Sequence, residues 1–252
     1  MTRRPVILSG IQPSGTLHFG NYFGAMRQHI EMQHEGDAYY FLANYHALTS
    51  RMDGPQLQAN TVDVVLDYLA LGLDPEQCTL FAQSDVPQTT ELAWILGCLT
   101  PVSLMEKGVS YKDKIANGLK PNIGLFTYPI LQAADILICH SDIVPVGEDQ
   151  KQNIEVARAL AAKLNNALDG EFLRIPTERI VASVATVPGT DGRKMSKSYG
   201  NAIGIFEEGK ALKKRVKSIK TDSTPLEAPK NPDTCPVFAL IRLFAAPERA
   251  QE

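Results

Sequence analysis

Short apolar runs ending in turn residues alternate with segments of helical period through most of this chain, and that alternation restricts the fold more than anything else. Residues 6–10, 38–43 and 79–82 read as strands, and 20–34, 56–71 and 89–99 as the helices that follow them. Strand, helix and strand in that order leave the strands parallel, with crossover helices on the faces of the sheet, which is the α/β class. Beyond them, 129–138 is apolar and helical, 142–146 strand-like, and 149–168 a long amphipathic helix. Residues 206–219 read as a further helix, followed by a Pro-rich connection over 221–236. The stretch 106–122, rich in lysine and glycine, reads as an exposed insertion.

Composition removes whole classes of function. Of 252 residues, 44% are hydrophobic and 21% charged, the balance of an ordinary globular protein. The net charge of −3 means that any nucleic-acid contact must be a local basic patch. No apolar run approaches the roughly 20 residues that span a bilayer, and Met-Thr-Arg-Arg-Pro does not open a secretory signal. Cys78, Cys98, Cys139 and Cys235 show no metal-binding spacing and read as buried thiols of a cytoplasmic protein. The five histidines also lack ligand spacing, so no metal site is expected. There is no GxGxxG and no G-x-S-x-G elbow. Gly204 to Ala211 nearly matches a P-loop, but Ala211 stands where a hydroxyl is needed and Glu207 and Glu208 would repel phosphate. That stretch reads as surface.

Two distant motifs carry the chemistry. His18-Phe19-Gly20-Asn21 opens a helix after an apolar strand and the turn Gln12-Pro13-Ser14-Gly15, and unpaired helix N–H groups there suit an anion. Lys194-Met195-Ser196-Lys197-Ser198 places two mobile ammonium groups on a serine-rich loop, suited to a leaving pyrophosphate. Where a pyrophosphate leaves, positioning and charge stabilisation do most of the work. His18 and Asn21 are placed to donate to phosphates, Gly20 to let an adenine lie against the backbone, and Lys194 and Lys197 to follow the pyrophosphate.

Both motifs, in this order, resemble the signatures of class I aminoacyl-tRNA synthetases. Further blocks resemble the bacterial tryptophanyl-tRNA synthetases from residue 5 to about 225: Ser9 to Gly15, Gly20-Asn21-Tyr22, His46 to Thr49, Thr127-Tyr128-Pro129, Ala133 to Leu137, Val144 to Gln150, and Thr221-Asp222-Ser223. The resemblance implies an α/β fold, the Rossmann-like parallel sheet of class I synthetases over 1–205, with an inserted connective segment at about 85–125. It also implies the start of a C-terminal helical domain over 206–252, since the family continues with anticodon-reading helices beyond this point. The implied activity makes Trp-AMP from tryptophan and ATP, with Mg2+ carried by the ATP, then charges tRNA(Trp). A homodimer formed through 89–99 is implied too, with no membrane partner.

The same resemblance assigns roles to residues. Asp135 is implied as reader of the indole N–H, in a pocket lined by Leu8, Gly10, His46, Val144 and Val146. Tyr128 and Gln150 are implied at the ammonium group, and Gln12 near the carboxylate and phosphates with Pro13 and Ser14. Gly147, Glu148 and Asp149 match the turn gripping the ribose, Val187 an adenine contact, and Lys114 a phosphate contact from the insertion. Met195, Ser196 and Ser198 belong to the nucleotide site with the loop lysines. Gln132 departs from the usual methionine beside the indole; it brings tyrosine-specific relatives into view and is expected to hold Asp135 by a hydrogen bond. Lys210, Lys213, Lys214, Arg215, Lys217 and Lys220 suit an acceptor stem, or form a solvated helix face. Loss of the later helices leaves a synthetase-like binding protein as the rival reading.

Overall fold

A computed structural model of the chain describes residues 3–49, 53–106, 111, 118, 120, 122–147, 150–180, 187–221, 227–229 and 231–245. The chain divides into two compact units, 1–15 with 29–182, and 16–28 with 183–252.

The first unit is built on a five-stranded sheet in the order β3-β2-β1-β4-β5. The strands are β1 (Val6–Ile11), β2 (Asp37–Leu42), β3 (Cys78–Ala82), β4 (Ile143–Val146) and β5 (Thr177–Ile180). Every pairing is parallel, with Val6 opposite Asp37, Ala38 opposite Cys78, Ile7 opposite Ile143, and Ile143 opposite Thr177. The expected α/β class is the fold observed. β5 is absent from the sequence reading because Thr-Glu-Arg-Ile carries two charges; a short, charged edge strand paired on one side needs little hydrophobic signal.

Caps decide where the helices begin. Asp53 accepts from the Gln56 N–H at 3.1 Å and starts the Gly54–Ala70 helix, which ends before Gly72 at φ +104°. The Ile123–Ile138 helix begins six residues earlier than Pro129, the expected start. Asn122 accepts from the Leu125 N–H at 2.8 Å, and this cap prevails over the preference for proline in a first turn. Pro129 is thereby an interior, buried proline. The Lys151–Ala167 helix puts Ile154, Ala157, Leu160, Ala161 and Leu164 on one buried face, packed with Leu8, Leu96, Ala133, Ala134, Leu137 and Val144 in the main core. Leu96 is therefore core, while Trp94 and Ile95 on the same helix are 77% and 48% exposed. Among the cysteines only Cys78 is buried; Cys98 is exposed and the other two are intermediate, so the expectation of four buried thiols fails.

In the second unit, the expected helix from residue 20 is a helical run of Phe19–Asn21, a π-turn Tyr22–Met26, and Arg27–Met32, whose last residues belong to the first unit. The later helix is Gly209–Lys217, shorter than expected because Gly209 takes φ +60°. Its Lys210, Lys213, Lys214 and Lys217 are exposed, whereas Arg215 sits 3.5 Å from the Glu207 carboxylate. A final helix, Pro236–Phe244, adds Leu240 to a small core with Phe23, Val187, Met195 and Ile203. Among the described residues, no helix is long and apolar enough to cross a membrane.

A polar cluster is sealed within the first unit. The His29 ring stacks on Tyr40 and Tyr68, its Nδ1 is hydrogen-bonded to the Tyr68 hydroxyl at 2.6 Å, and the Tyr40 hydroxyl donates to the His29 carbonyl at 2.7 Å. Burial pushes the His29 imidazole down to about 4. The folded chain thus resists a proton that the unfolded chain accepts near pH 6.5. Stability attributable to this group is full above that pH and is lost as pH falls toward 4, at up to about 1.4 kcal/mol per pH unit. Urea unfolding between pH 7 and 4.5 is expected to show this slope, reduced by about one proton in His29→Asn; equal slopes in both proteins would show that His29 is not the titrating group.

Candidate active site

The strand order reverses between β1 and β4, where a parallel sheet opens a crevice at its carboxyl edge. Gln12 and Gly147 immediately follow these two strands, and His46 and Gln83 follow β2 and β3. Crossover connections therefore deliver polar residues from four loops to one edge of the sheet.

Asp135, on the Ile123–Ile138 helix, is buried beside this edge. His46 Nε2 lies 2.9 Å from its Oδ2, and Gln83 Nε2 donates to Oδ1 at 2.8 Å and Oδ2 at 3.0 Å. Burial holds the carboxyl above its ordinary range, against the smaller downward pull of the His46 hydrogen bond and charge and of the Gln83 hydrogen bond. Gln132 was expected in this supporting role; His46 and Gln83 fill it instead. Gln83 had no signal in the sequence, because a lone glutamine after a strand reads as a turn residue.

The rest of the expected amino-acid pocket divides by burial. Leu8 and Val144 are fully or nearly buried core residues, and Val146 packs against the same cluster. Gly10 needs its missing side chain: a Cβ there would lie 2.5 Å from the Phe41 ring, its neighbour across β1 and β2. The Tyr128 ring stands edge-on to His46, centroids 6.3 Å apart. Tyr128 also walls a recess of about 350 Å3 with Tyr45, Thr49 and Leu131. Gln150 accepts from Asn153 Nδ2 at 2.9 Å, and its N–H donates to the Gly147 carbonyl at 2.9 Å. Pro13 is buried between exposed Gln12 and Ser14. Lys114, Glu148 and Asp149 lie outside the described residues.

The second unit brings the two sequence motifs together. Main-chain bonds join Phe19 N to the Ile203 carbonyl at 3.1 Å and Ile205 N to the Leu17 carbonyl at 3.1 Å, with His18 bridged to Gly204. The lysine loop closes on itself where Met195 N donates to the Val187 carbonyl at 2.8 Å. His18 is buried, with Nδ1 lacking a hydrogen-bond partner among the described residues. Burial, then the charge of Lys197, holds its imidazole down at about 4, so His18 is neutral at pH 7. Asn21 Oδ1 accepts from the His18 N–H at 3.0 Å, a cap that uses only the oxygen of the amide. A Cβ at Gly20 would fall 2.8 Å from the His18 ring, so the glycine here makes room for the imidazole. Lys194, Lys197 and Ser198 are exposed, Ser196 is half-buried and Met195 is core.

Asn201, absent from the sequence reading, fastens this loop. Its Oδ1 accepts from the Ser196 N–H at 2.8 Å, and its Nδ2 donates to Asp191 at 2.6 Å and to the Lys194 carbonyl at 3.2 Å. The Asn201 hydrogen bond, with those from Arg193, holds the Asp191 carboxyl down at about 2. Removing so buried an amide leaves the Ser196 N–H unpaired, at about 1–3 kcal/mol of local stability. Asn201→Ala is expected to accelerate tryptic cleavage after Lys194 or Lys197 about tenfold or more at 25 °C; cleavage at the wild-type rate would contradict the fastening role.

The model of the class I tRNA synthetases for W and Y matches residues 1–243. A tryptophan–tRNA ligase of Fusobacterium nucleatum is 58% identical over 236 residues, covering 93% of this chain and 73% of that protein. One from Campylobacter jejuni is 50% identical over 238 residues, covering 94% and 74%. The crystal structure of tryptophanyl-tRNA synthetase from Campylobacter jejuni complexed with ADP and tryptophan superposes with a TM-score of 0.90 at 48% identity, over 98% of this chain and 77% of that one. A tyrosyl-tRNA synthetase from Archaeoglobus fulgidus shares the fold at a TM-score of 0.69 and 20% identity. With its sheet, its paired signature motifs and this match along nearly its whole length, the chain belongs to the class I tRNA synthetases for tryptophan and tyrosine.

Proposed function

We propose that this chain is a tryptophan–tRNA ligase, which activates tryptophan with ATP to Trp-AMP and pyrophosphate and then transfers tryptophan to tRNA(Trp). The observation that carries tryptophan is the buried Asp135 carboxylate, supported by His46 and Gln83. An indole N–H is a donor with no acceptor role, and an ionised carboxylate accepts only, so each satisfies the other. The likeness to enzymes named for tryptophan supports the same choice.

In this reading Leu8, Gly10, Val144 and Val146 flank the indole, with Gln132 beside it, while Tyr128 and Gln150 hold the ammonium group. On the first unit the nucleotide contacts are assigned to Gln12, Pro13, Ser14, Gly147, Glu148 and Asp149; on the second unit they are assigned to Gly20, Asn21, Val187, Met195, Ser196 and Ser198. The tryptophan carboxylate attacks the α-phosphorus, the bond to the bridging oxygen breaks, and the electron pair leaves on pyrophosphate. Lys194 and Lys197, with Lys114, neutralise the charge that grows there. Neutral His18 acts as a hydrogen-bonding group rather than a cation. Mg2+ carried with the ATP would supply further neutralisation of phosphate charge. The catalytic domain is assigned to 1–205 and the start of a helical domain to 206–252, in a cytoplasmic homodimer formed through the exposed Trp94–Ile95 surface. The exposed lysines of the Gly209–Lys217 helix face tRNA phosphates.

ATP–pyrophosphate exchange tests the reading without tRNA. Lys197→Ala is expected to lower the exchange rate about a hundredfold or more, the loss of one preorganised donor worth about 3 kcal/mol. Tryptophan affinity measured without ATP should change little, and an undiminished rate would remove Lys197 from the chemistry. Asp135→Asn is expected to raise the KM for tryptophan about thirtyfold, equivalent to about 2 kcal/mol for a lost charged acceptor. If tyrosine supports exchange in the wild type as well as tryptophan does, the tyrosine-specific assignment replaces this one.

A further inference from the structure

We propose that Gln83 is a specificity-positioning residue, which fixes the Asp135 carboxylate as an obligate hydrogen-bond acceptor and so makes the site demand an N–H on the ligand ring. This rests on the tryptophan reading above and adds a residue that neither the sequence motifs nor the relatives' names assign.

The argument begins with the orientation of one amide. Gln83 is 1% exposed and opens the short turn after β3. Its Oε1 accepts from the main-chain N–H of Tyr45 at 3.0 Å and, more weakly, of His46 at 3.4 Å. A main-chain N–H can only donate, so the amide oxygen must face it and the NH2 group must face Asp135. The orientation of the amide is therefore set by the backbone rather than by the carboxylate. An NH2 group is a donor. A protonated Asp135 keeps only its carbonyl oxygen as a full acceptor for that group, whereas an ionised one can accept on both oxygens, which lie 2.8 and 3.0 Å from Nε2. The backbone after β2 thus favours, through Gln83, the ionised form that burial opposes.

Position is constrained in the same way. A second clasp joins the same two turns: Asn44 Nδ2 donates to Ser84 Oγ at 2.7 Å and the Ser84 N–H donates to Asn44 Oδ1 at 3.1 Å. Gln83 therefore sits on a cross-braced pair of loops, and its amide cannot follow Asp135 if the carboxylate turns. His46 occupies one further acceptor direction on Oδ2. A carboxylate offers about four lone-pair directions, so a direction remains for one ring N–H. A ligand ring of the same shape without that hydrogen leaves a desolvated carboxylate direction unpaired, and sites built this way reject such analogues strongly.

The test compares tryptophan with 3-(benzothiophen-3-yl)alanine, in which sulfur replaces the indole N–H, in ATP–pyrophosphate exchange. Wild type is expected to prefer tryptophan by about a hundredfold or more in kcat/KM. Gln83→Met keeps the length of the side chain and removes the amide. It is expected to reduce that preference about tenfold through a higher KM for tryptophan, with the KM for ATP within about twofold of wild type. General loosening of the fold would weaken both amino acids and ATP together and leave the ratio alone, so an unchanged ratio overturns the proposal. If Gln83→Met shows no cooperative melt, Gln83→Glu supplies the measurement, since it keeps an acceptor for the Tyr45 N–H but sets a second carboxyl against Asp135. The same fall in the ratio supports the proposal and a wild-type ratio overturns it. Wild-type protein without tryptophan-dependent exchange would overturn the functional reading itself, an outcome separate from a working enzyme whose ratio ignores residue 83.

Discussion

A parallel sheet cannot be closed by hairpins, and the first unit follows from that constraint. Each strand must be reached by a crossover, so all five strands end on one edge and every loop leaving a strand passes there. The reversal of strand order between β1 and β4 parts the crossovers to either side and opens that edge. His46 and Gln83 are distant in sequence and meet only because the topology delivers each to the same edge. The hydrophobic side of the arrangement is conventional: the Lys151–Ala167 and Ile123–Ile138 helices bury an apolar face against Leu8 and Val144, and the polar groups are left at the rim.

Asp135 is the exception to that division. A carboxylate placed among Ala133, Ala134, Ile136 and Leu137 is unfavourable unless its oxygens are occupied. The occupation comes from two other loops, so the local cost on one helix is offset by groups that only the tertiary fold supplies. The second unit repeats the logic with main chain. Residues 17–19 pair with 203–205, and the buried, neutral His18 packs over a glycine that has no side chain to displace it. The chemistry-bearing lysines stay exposed while the segment that carries them is braced by Asn201.

Much of this was legible from residue order, and the remainder has identifiable reasons. Strands β1 to β4 announce themselves as apolar runs, and the two signature motifs as unusual local sequences. β5 does not, since an edge strand with a glutamate and an arginine looks like a loop. The Ile123–Ile138 helix was misread at its start because a proline in a helical stretch is commonly a first-turn residue, while the capping strength of Asn122 depends on a hydrogen bond that composition does not display. Gln83 and Asn201 were invisible for a deeper reason. Their work consists of fixing other residues, and a buried amide has no periodicity or spacing by which to be found. Gln132, singled out because it replaces the usual methionine beside the indole, lost that part to a residue from another strand's loop.

Gly10 and Phe41 share one volume. The ring of Phe41 fills the space that any side chain at position 10 would claim, so the two strands have a single side chain between them at that level. Neither position can vary alone: enlarging residue 10 collides with the ring, and shrinking residue 41 leaves a hole beside the end of β1. Lineages of this protein are therefore expected to hold the pair together or exchange it together, since each single step passes through a poorly packed intermediate. The glycine that looks like a concession to the ligand is, by this account, equally half of an inherited pair.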